Sequence, residues 1–200
     1  MIFENPCRRA MLRKIATFEK AIFGEDAMPF KDMLKAWKKN KYMFCTLREG
    51  EKFIGFADMF VINAYGRNHL LARNGVAPFS VVHYVKPKYM RKSGFVYFEG
   101  IGAVGKGDEK KERVAALMYG RASAIEDRFD LPRTAYAVGV TKEGIALIRS
   151  YGGKCIRIAS SRGKKYPLFR ILLTHAWCDK VKARASNRLV SGLVIKRGQK

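Results

Sequence analysis

The clearest hydrophobic pattern in the chain lies between residues 94 and 129. Residues 95–104 are apolar at both alternating sets of positions, which is typical of a strand covered on both faces at the centre of a sheet. Simple alternation places four of them on one face: Phe95, Tyr97, Ile101 and Ala103.

A polar loop at residues 105–110 follows this strand and leads into a predicted helix. Apolar residues recur there at spacings of three and four, namely at Val114, Leu117, Met118, Ala122, Ile125 and Phe129. The helix would therefore begin beside the carboxyl end of a central strand, where its unpaired N–H groups favour an anion.

Glu99, Gly100 and Gly102 interrupt the apolar strand. A carboxylate is costly to bury without a partner, so Glu99 is either functional or lies at the open end of the strand. Glycines inside a strand mark a bulge or the close approach of another backbone or a ligand. The centre of the sheet is thus the first place to look for a site.

The remaining elements are weaker in pattern. Two helices and a hairpin are predicted ahead of the central strand, at residues 9–23, 30–41, 42–47 and 53–62. A strand, a short helix and a closing hairpin are predicted after the helix, at residues 134–140, 142–151, 155–159 and 169–174. Residues 63–92 are expected to form an irregular insertion with a β-like piece at 79–85, and no structure is predicted for 175–200.

Composition indicates one soluble globular domain, since 48% of the 200 residues are hydrophobic and the mean hydropathy is −0.19. No apolar run approaches the roughly 20 residues that span a bilayer, and the first residues do not resemble a secretory signal. The four cysteines are far apart with no CxxC pair, which favours reduced thiols in a cytoplasm over a zinc site.

The charge is unusually positive. Forty Lys and Arg residues against seventeen Asp and Glu give a net charge of +23, and residues 162–200 contain a single acid, Asp179. Such a field attracts polyanions, which include nucleic acid, an acidic protein and a phosphorylated cofactor.

The order of elements resembles the GNAT (Gcn5-related N-acetyltransferase) superfamily over roughly residues 9–176. Three segments carry the resemblance: KFIGFADMFVI as the third strand, VYFEGIGAV as the fourth, and GIALIRSYGGKC as a helix that ends at a glycine. The resemblance implies a mixed α/β fold with a mostly antiparallel twisted sheet, helices on both faces, and a splay between the fourth and fifth strands, here 95–104 and 134–141. Residues 1–176 would form this domain, with the insertion at 63–92, and 177–200 a basic C-terminal extension.

The same resemblance implies an acyl thioester in the splay, with its pantetheine paired to the fourth strand at Ile101, Gly102, Ala103 and Val104. In the family, the following helix holds the diphosphate of coenzyme A through a motif with Arg or Gln, then Gly, then Gly or Ala. Counted back from Leu117, that motif falls at residues 111–116 and matches only at Ala116. The candidate phosphate ligands are the nearby cations Lys106, Lys110, Lys111 and Arg113. The alternative for this loop is that Asp108 caps the helix and the acids complement its dipole.

The reaction implied is the attack of an amine on the thioester. Glu99 is the candidate general base, with an ion pair to one of the many cations as the alternative. Backbone N–H groups at 100–102 are candidates to bind the oxyanion. The family's tyrosine acid falls by count on Ile148, and Tyr151 lies about one turn later, either as the acid or in the core. No metal is expected, because the three histidines are scattered.

The leading hypothesis is therefore an N-acyltransferase that uses acetyl-CoA, another acyl-CoA or an acyl-ACP. An acidic acyl carrier protein would suit the +23 surface, and its pantetheine ends in one phosphodiester. The alternative is a nucleic-acid-associated protein: either a GNAT that acts on tRNA, or a polyanion binder that has kept only the fold. The pattern identifies neither the amine nor the oligomeric state.

Overall fold

A computed structural model describes residues 1–72, 81–92, 94–161, 164–189 and 192–197. Within these ranges eight strands form one sheet, in the order β6-β7-β5-β4-β3-β2-β1-β8. The strands are β1 (Ile2–Asn5), β2 (Thr46–Glu49), β3 (Lys52–Ile62), β4 (Phe95–Ala103), β5 (Arg133–Val138), β6 (Lys154–Ser161), β7 (Lys164–Leu173) and β8 (Val194–Arg197). The helices are α1 (Met11–Phe23), α2 (Phe30–Lys39), α3 (Ala64–Leu71), α4 (Gly107–Arg128), α5 (Lys142–Ser150) and α6 (His175–Ser186).

The sheet is mixed and mostly antiparallel, as predicted. Neighbouring strands run antiparallel except for β4 with β5 and β1 with β8. Helices α1 and α2 cover one face, where Ile15 and Met33 pack with Tyr97. Helices α4, α5 and α6 cover the other, where Ile125 and Val181 pack with β4 and β5. Each helix buries its apolar side on the sheet, so β4 is covered on both faces.

A β-bulge lies in the middle of β4. Asp58 of β3 pairs with Gly100 and the next residue, Met59, pairs with Phe98, so Glu99 is an extra residue in the ladder. The bulge reverses the alternation. Phe95 and Tyr97 pack on the α1 and α2 face, whereas Ile101 and Ala103 pack against α4. The prediction that these four share a face was wrong because it allowed for no inserted residue.

The strands β4 and β5 diverge directly before the bulge. Their parallel pairing covers three residues of β4, from Val96, opposite Ala135, to Phe98, opposite Ala137. In the described part of the chain, residues 99–103 therefore have β3 on one side and no partner strand on the β5 side. The predicted splay between the fourth and fifth strands is confirmed.

Some predicted boundaries were wrong for local reasons. Helix α4 already begins at Gly107, so the connection from β4 is three residues, 104–106, instead of the expected loop at 105–110. Residues 41–43 form a turn of 3-10 helix, so β2 starts at Thr46 and not at residue 42. The 63–92 insertion contains α3. Of its expected β-like piece, residues 79–80 lie outside the described residues, and Val81–His83 form a helical turn.

Both ends of the chain add to the sheet. The N-terminal strand β1 pairs with β2 on one side and with β8 on the other. Helix α6 packs on the same face as α4, and Lys182 forms an ion pair with Glu126 of α4 at 2.8 Å. The part of the C-terminus for which the sequence predicted no structure thus contains a helix and a strand, while the division at residue 176 stays a prediction.

Arg121 ties α4 to the sheet. Its side chain is 2% exposed and donates hydrogen bonds to the carbonyl oxygens of Ala57, Met43 and Tyr42. These carbonyls lie on β3 and on the turn that precedes β2, so one guanidinium links α4 to backbone oxygens of both segments. In the described residues, no helix is both long and apolar enough to cross a membrane.

The packing of β1 on α4 gives a first prediction. A methyl group at Gly120 would overlap the ring of Phe3, which is fully buried. We expect Gly120→Ala to lower the free energy of unfolding by roughly 1–3 kcal/mol, because the overpacked strand must shift. Chemical denaturation measures this change. Gly192→Ala, where a methyl group would meet nothing within 4 Å, is the control, and equal stability of both variants would contradict the packing.

Candidate active site

A cavity of about 470 Å³ opens where β4 and β5 diverge. Residues from both faces of the sheet line it, since the gap between the strands leaves no barrier there. Glu19 of α1 and Asp58 of β3 lie on one side, and Met118 of α4, Ile148 of α5 and Trp177 of α6 lie on the other. The cavity is thus lined from the α1 and α2 side and from the α4, α5 and α6 side.

The lining is acidic although the protein is strongly basic. Six carboxyl side chains line the cavity: Glu19, Asp26, Asp32, Asp58, Glu99 and Glu143. Of the described basic residues, Lys110 and Arg121 line it. Two of these carboxyls already accept hydrogen bonds from other side chains: Asp26 from Tyr166 at 2.7 Å and Asp32 from Lys35 at 3.1 Å. Of the other four, Glu143 lies in the first turn of α5, and Glu19, Asp58 and Glu99 lie around the bulge.

Glu19 and Asp58 form a buried acidic pair. Each residue is 2% exposed, and Oε2 of Glu19 and both Asp58 oxygens accept no hydrogen bond from the described residues. Burial, followed by the charge of Glu99, raises the pKa of Glu19 to about 8. Burial and then the neighbouring Glu19 raise the pKa of Asp58 well above its usual value. The pair therefore holds protons near neutral pH.

Glu99 lies in the bulge itself, partly exposed to the cavity. Burial raises its pKa to about 7, against a hydrogen bond with Tyr97 that lowers it. A carboxyl with this pKa can accept and release a proton at neutral pH, which is the property a general base needs. The expected alternative, an ion pair, does not occur among the described residues. The catalytic role of Glu99 stays a prediction.

Aromatic residues line the other side of the cavity. The indole N–H of Trp177 donates to the backbone oxygen of Tyr151 at 2.8 Å, and the Trp177 ring stacks on Phe98 with centroids 6.4 Å apart. Burial raises the pKa of Tyr151, although Arg184 and Arg188 oppose this. The Tyr151 hydroxyl therefore keeps its proton at neutral pH. Ile148, the position that the family count gave, also lines the cavity.

Of the predicted donor-binding residues, four line the cavity: Ile101, Gly102, Ala103 and Lys110. The first three belong to the part of β4 that lacks a partner on the β5 side. Val104 does not line the cavity. Its N–H donates to the backbone oxygen of Ile54 at 2.9 Å, and its oxygen accepts from Arg113 at 3.0 Å.

The other predicted phosphate ligands do not line the cavity. Lys111 is paired with Asp108 at 2.8 Å, and Arg113 is buried between Glu109, at 2.7 Å, and Glu49. Lys106 is exposed at the N-cap position of α4. The alternative in which Asp108 caps the helix was wrong, since Asp108 lies inside the first turn. The roles of the four cations as phosphate ligands stay predictions.

Sequence reasoning missed Glu19, Asp58 and Trp177. A signal existed for the two acids: Asp58 is the lone carboxylate in the apolar strand β3, and Glu19 follows Ile15 by one turn on the buried side of α1. Trp177 gave no signal beyond its size. His83 does not line the cavity and stacks on His69 with ring centroids 4.7 Å apart.

No known family model and no curated protein matches this sequence. Solved structures do match. Ard1 from Thermoplasma volcanium superposes with a TM-score of 0.58 at 9% identity, over 86% of this chain and 97% of its own. The chain has the GNAT fold.

Two further GNAT-fold structures are similar over most of their lengths. Arabidopsis thaliana NAA60 in complex with acetyl-CoA has a TM-score of 0.56 at 16% identity, covering 86% of this chain and 98% of its own. The ribosomal-protein-S18-alanine N-acetyltransferase of Escherichia coli has a TM-score of 0.54 at 13% identity, covering 86% and 93%. At such identities the likeness concerns the fold, of which this chain is a divergent example.

The acidic pair predicts how stability depends on pH. Between pH 4.5, near the unfolded value for Glu19, and about 8, the folded state holds protons that the unfolded chain has released. The free energy of unfolding should therefore fall as pH rises through this range. In Asp58→Asn the fall should be smaller, because one of the groups that hold a proton in the folded state is gone.

Denaturation at pH 5 and pH 8 measures this difference. Asp179→Asn, an exposed acid on α6, is the matched control and should keep the pH dependence of the unaltered protein. The same fall in both variants would show that Asp58 is not the group responsible.

Proposed function

We propose that this protein is an N-acyltransferase that transfers an acyl group from a thioester to an amine in the cavity between β4 and β5. The observation that carries the proposal is the end of β4–β5 pairing at Phe98, which opens the sheet beside the carboxyl of Glu99. The likeness to N-acetyltransferase structures, one of them in complex with acetyl-CoA, supports it at the level of the fold.

The thioester is proposed to bind on the α4, α5 and α6 side. Alternate residues of β4 at 101–103 direct their N–H and C=O groups to the edge that β5 leaves free, and the amides of a pantetheine arm fit such an edge. Phe98, Ile148 and Trp177 provide apolar surface for the acyl chain. Bound there, the thioester supplies an activated acyl carbonyl.

The amine is proposed to enter from the α1 and α2 side. Amines are mostly protonated at neutral pH, and a bound ammonium stabilises the ionised forms of the carboxyls on this side, which are otherwise disfavoured by burial. Glu99 removes a proton from the bound ammonium, since its pKa of about 7 lets it accept one at neutral pH. Tyr151 keeps its proton and donates it to the departing sulfur.

Loss of the base gives the next prediction. Glu99→Gln should lower kcat/KM about 100-fold or more, because the amide cannot take the proton. In the unaltered protein the rate should rise with pH through about 7, and this rise should disappear in the variant. Steady-state kinetics between pH 5.5 and 8.5 test both. Glu25→Gln, at an exposed acid paired with Lys20, is the control.

The role of Tyr151 as general acid can be tested by changing the leaving thiolate of the donor. Tyr151→Phe should lower kcat about 10- to 100-fold with ordinary alkyl thioesters while KM is little changed. With an aryl thioester, whose thiolate leaves without a proton, the variant and the unaltered protein should react equally fast. A uniform loss with both donors would assign Tyr151 to packing.

The identity of the donor is tested by binding. Thermal shift and mass spectrometry with acetyl-CoA, long-chain acyl-CoA and acyl-ACP should show stabilisation by at least one of them, by mass action. An acidic carrier protein suits the +23 surface. No stabilisation by any donor would contradict the proposed function.

Nucleic-acid association stays an alternative prediction that rests on charge. It would be favoured by steep salt-dependent binding of tRNA that survives Glu99→Gln without any thioester turnover.

A further inference from the structure

Helix α6 lies beside the aromatic side of the cavity. Its first turn supplies Trp177, which lines the cavity and bonds to the Tyr151 backbone at 2.8 Å. Two turns later, Arg184 donates to the Ser150 oxygen at 3.0 Å, and its guanidinium lies 5.2 Å from the centroid of the Tyr151 ring. The helix therefore carries a cation along the wall that Tyr151 forms.

Arg188 extends this line of charge. It follows Arg184 by four residues and lies in the turn after α6, where its N–H donates to the Ala185 oxygen at 2.9 Å. The charge of Arg188 lowers the pKa of Tyr151, the residue after α5, and that of Asp108, in the first turn of α4. Arg188 thus adds positive charge near the end of α5 and the start of α4.

Both guanidinium groups have donors to spare. Among the residues that the structure describes, neither arginine forms an ion pair with a carboxylate, and both are exposed. Arg184 spends one of its five N–H groups on Ser150. By contrast, Arg113 is held by two carboxylates and Lys111 by one. Arg184 and Arg188 therefore bring unpaired arginine charge close to Tyr151.

We propose that Arg184 and Arg188 bind the phosphate ester of the thioester donor at the α6 side of the cavity. Guanidinium groups bind phosphate oxygens in a bidentate fork, and a pair one turn apart can hold two oxygens of one phosphate or two neighbouring phosphates. With Lys110, which lines the cavity, they supply by side chains the positive charge that the degenerate glycine motif lacks.

This inference rests on the proposed function, because it concerns the donor of that reaction. The shared chemistry is 4′-phosphopantetheine, which ends in a diphosphate in coenzyme A and in a single phosphodiester on a carrier protein. The test therefore measures coenzyme A and the carrier protein as separate ligands.

The test compares ligands with and without phosphate. Binding of coenzyme A, holo-acyl carrier protein and pantetheine is measured by calorimetry for the unaltered protein and for an Arg184→Gln, Arg188→Gln double variant. We expect the double variant to bind the natural phosphate-bearing ligand about 10- to 100-fold more weakly, and pantetheine unchanged. The loss should shrink at high salt. Arg9→Gln, at an exposed arginine ahead of α1, is the control.

Coenzyme A and holo-acyl carrier protein distinguish the two sources of the phosphate. Pantetheine distinguishes failure of the arginine site from failure of the proposed function. A loss confined to coenzyme A identifies the diphosphate as ligand, and one confined to holo-carrier protein identifies the phosphodiester. Unchanged binding of both, or an equal loss for pantetheine, overturns the arginine site while the transferase stands. If the unaltered protein binds none of the three ligands, both proposals fail.

Discussion

The site depends on one inserted residue in β4. The ladder with β3 runs through Phe98 and resumes at Gly100, and Glu99 is left over. A bulge bends its strand and increases the local twist. The last residue of β4 that pairs with β5 is Phe98, directly before the bulge. The same insertion that ends the parallel pairing thus also places a carboxyl at the resulting gap.

The electrostatics of the cavity follow from the three carboxyls that lie close together around the bulge. Glu19, Asp58 and Glu99 come from three different elements. Beyond the effect of burial, Glu99 raises the pKa of Glu19 and of Asp58, and Glu19 raises the pKa of Asp58. The nearest cation, Arg121, lowers the pKa of Asp58, but its N–H groups are bonded to three backbone oxygens. The acids therefore lower their cost of burial by holding protons. A bound cationic amine would relieve the same repulsion, which makes an acceptor of that charge the natural complement of this side.

Long periodic segments were predictable from the sequence, and long-range pairings were not. The patterns of β3, β4 and α4 and the isolated Glu99 in an apolar strand pointed to the correct centre of the sheet. The sheet face predicted for the residues of β4 beyond Glu99 was wrong, because a bulge changes the face on which a residue lies without changing the composition. The strands β1 and β8 have four residues each, too few for a period, and they pair across almost the whole chain.

The start of α4 explains why the donor-binding residues were harder to infer. Residues 111–116, where the family motif was counted, lie inside the helix, because α4 begins at Gly107. Their N–H groups bond to the preceding turn and cannot cradle a phosphate as a glycine loop does. Arg113, the buried cation of this segment, closes the connection from β4 by bonding to the Val104 oxygen and to Glu49. The first turn of α4, at residues 107–109, keeps the unpaired N–H groups of a helix start, and the arginines proposed above would add side-chain charge to them. No helix was predicted at residues 175–186, so a resemblance that ended at residue 176 could not include α6.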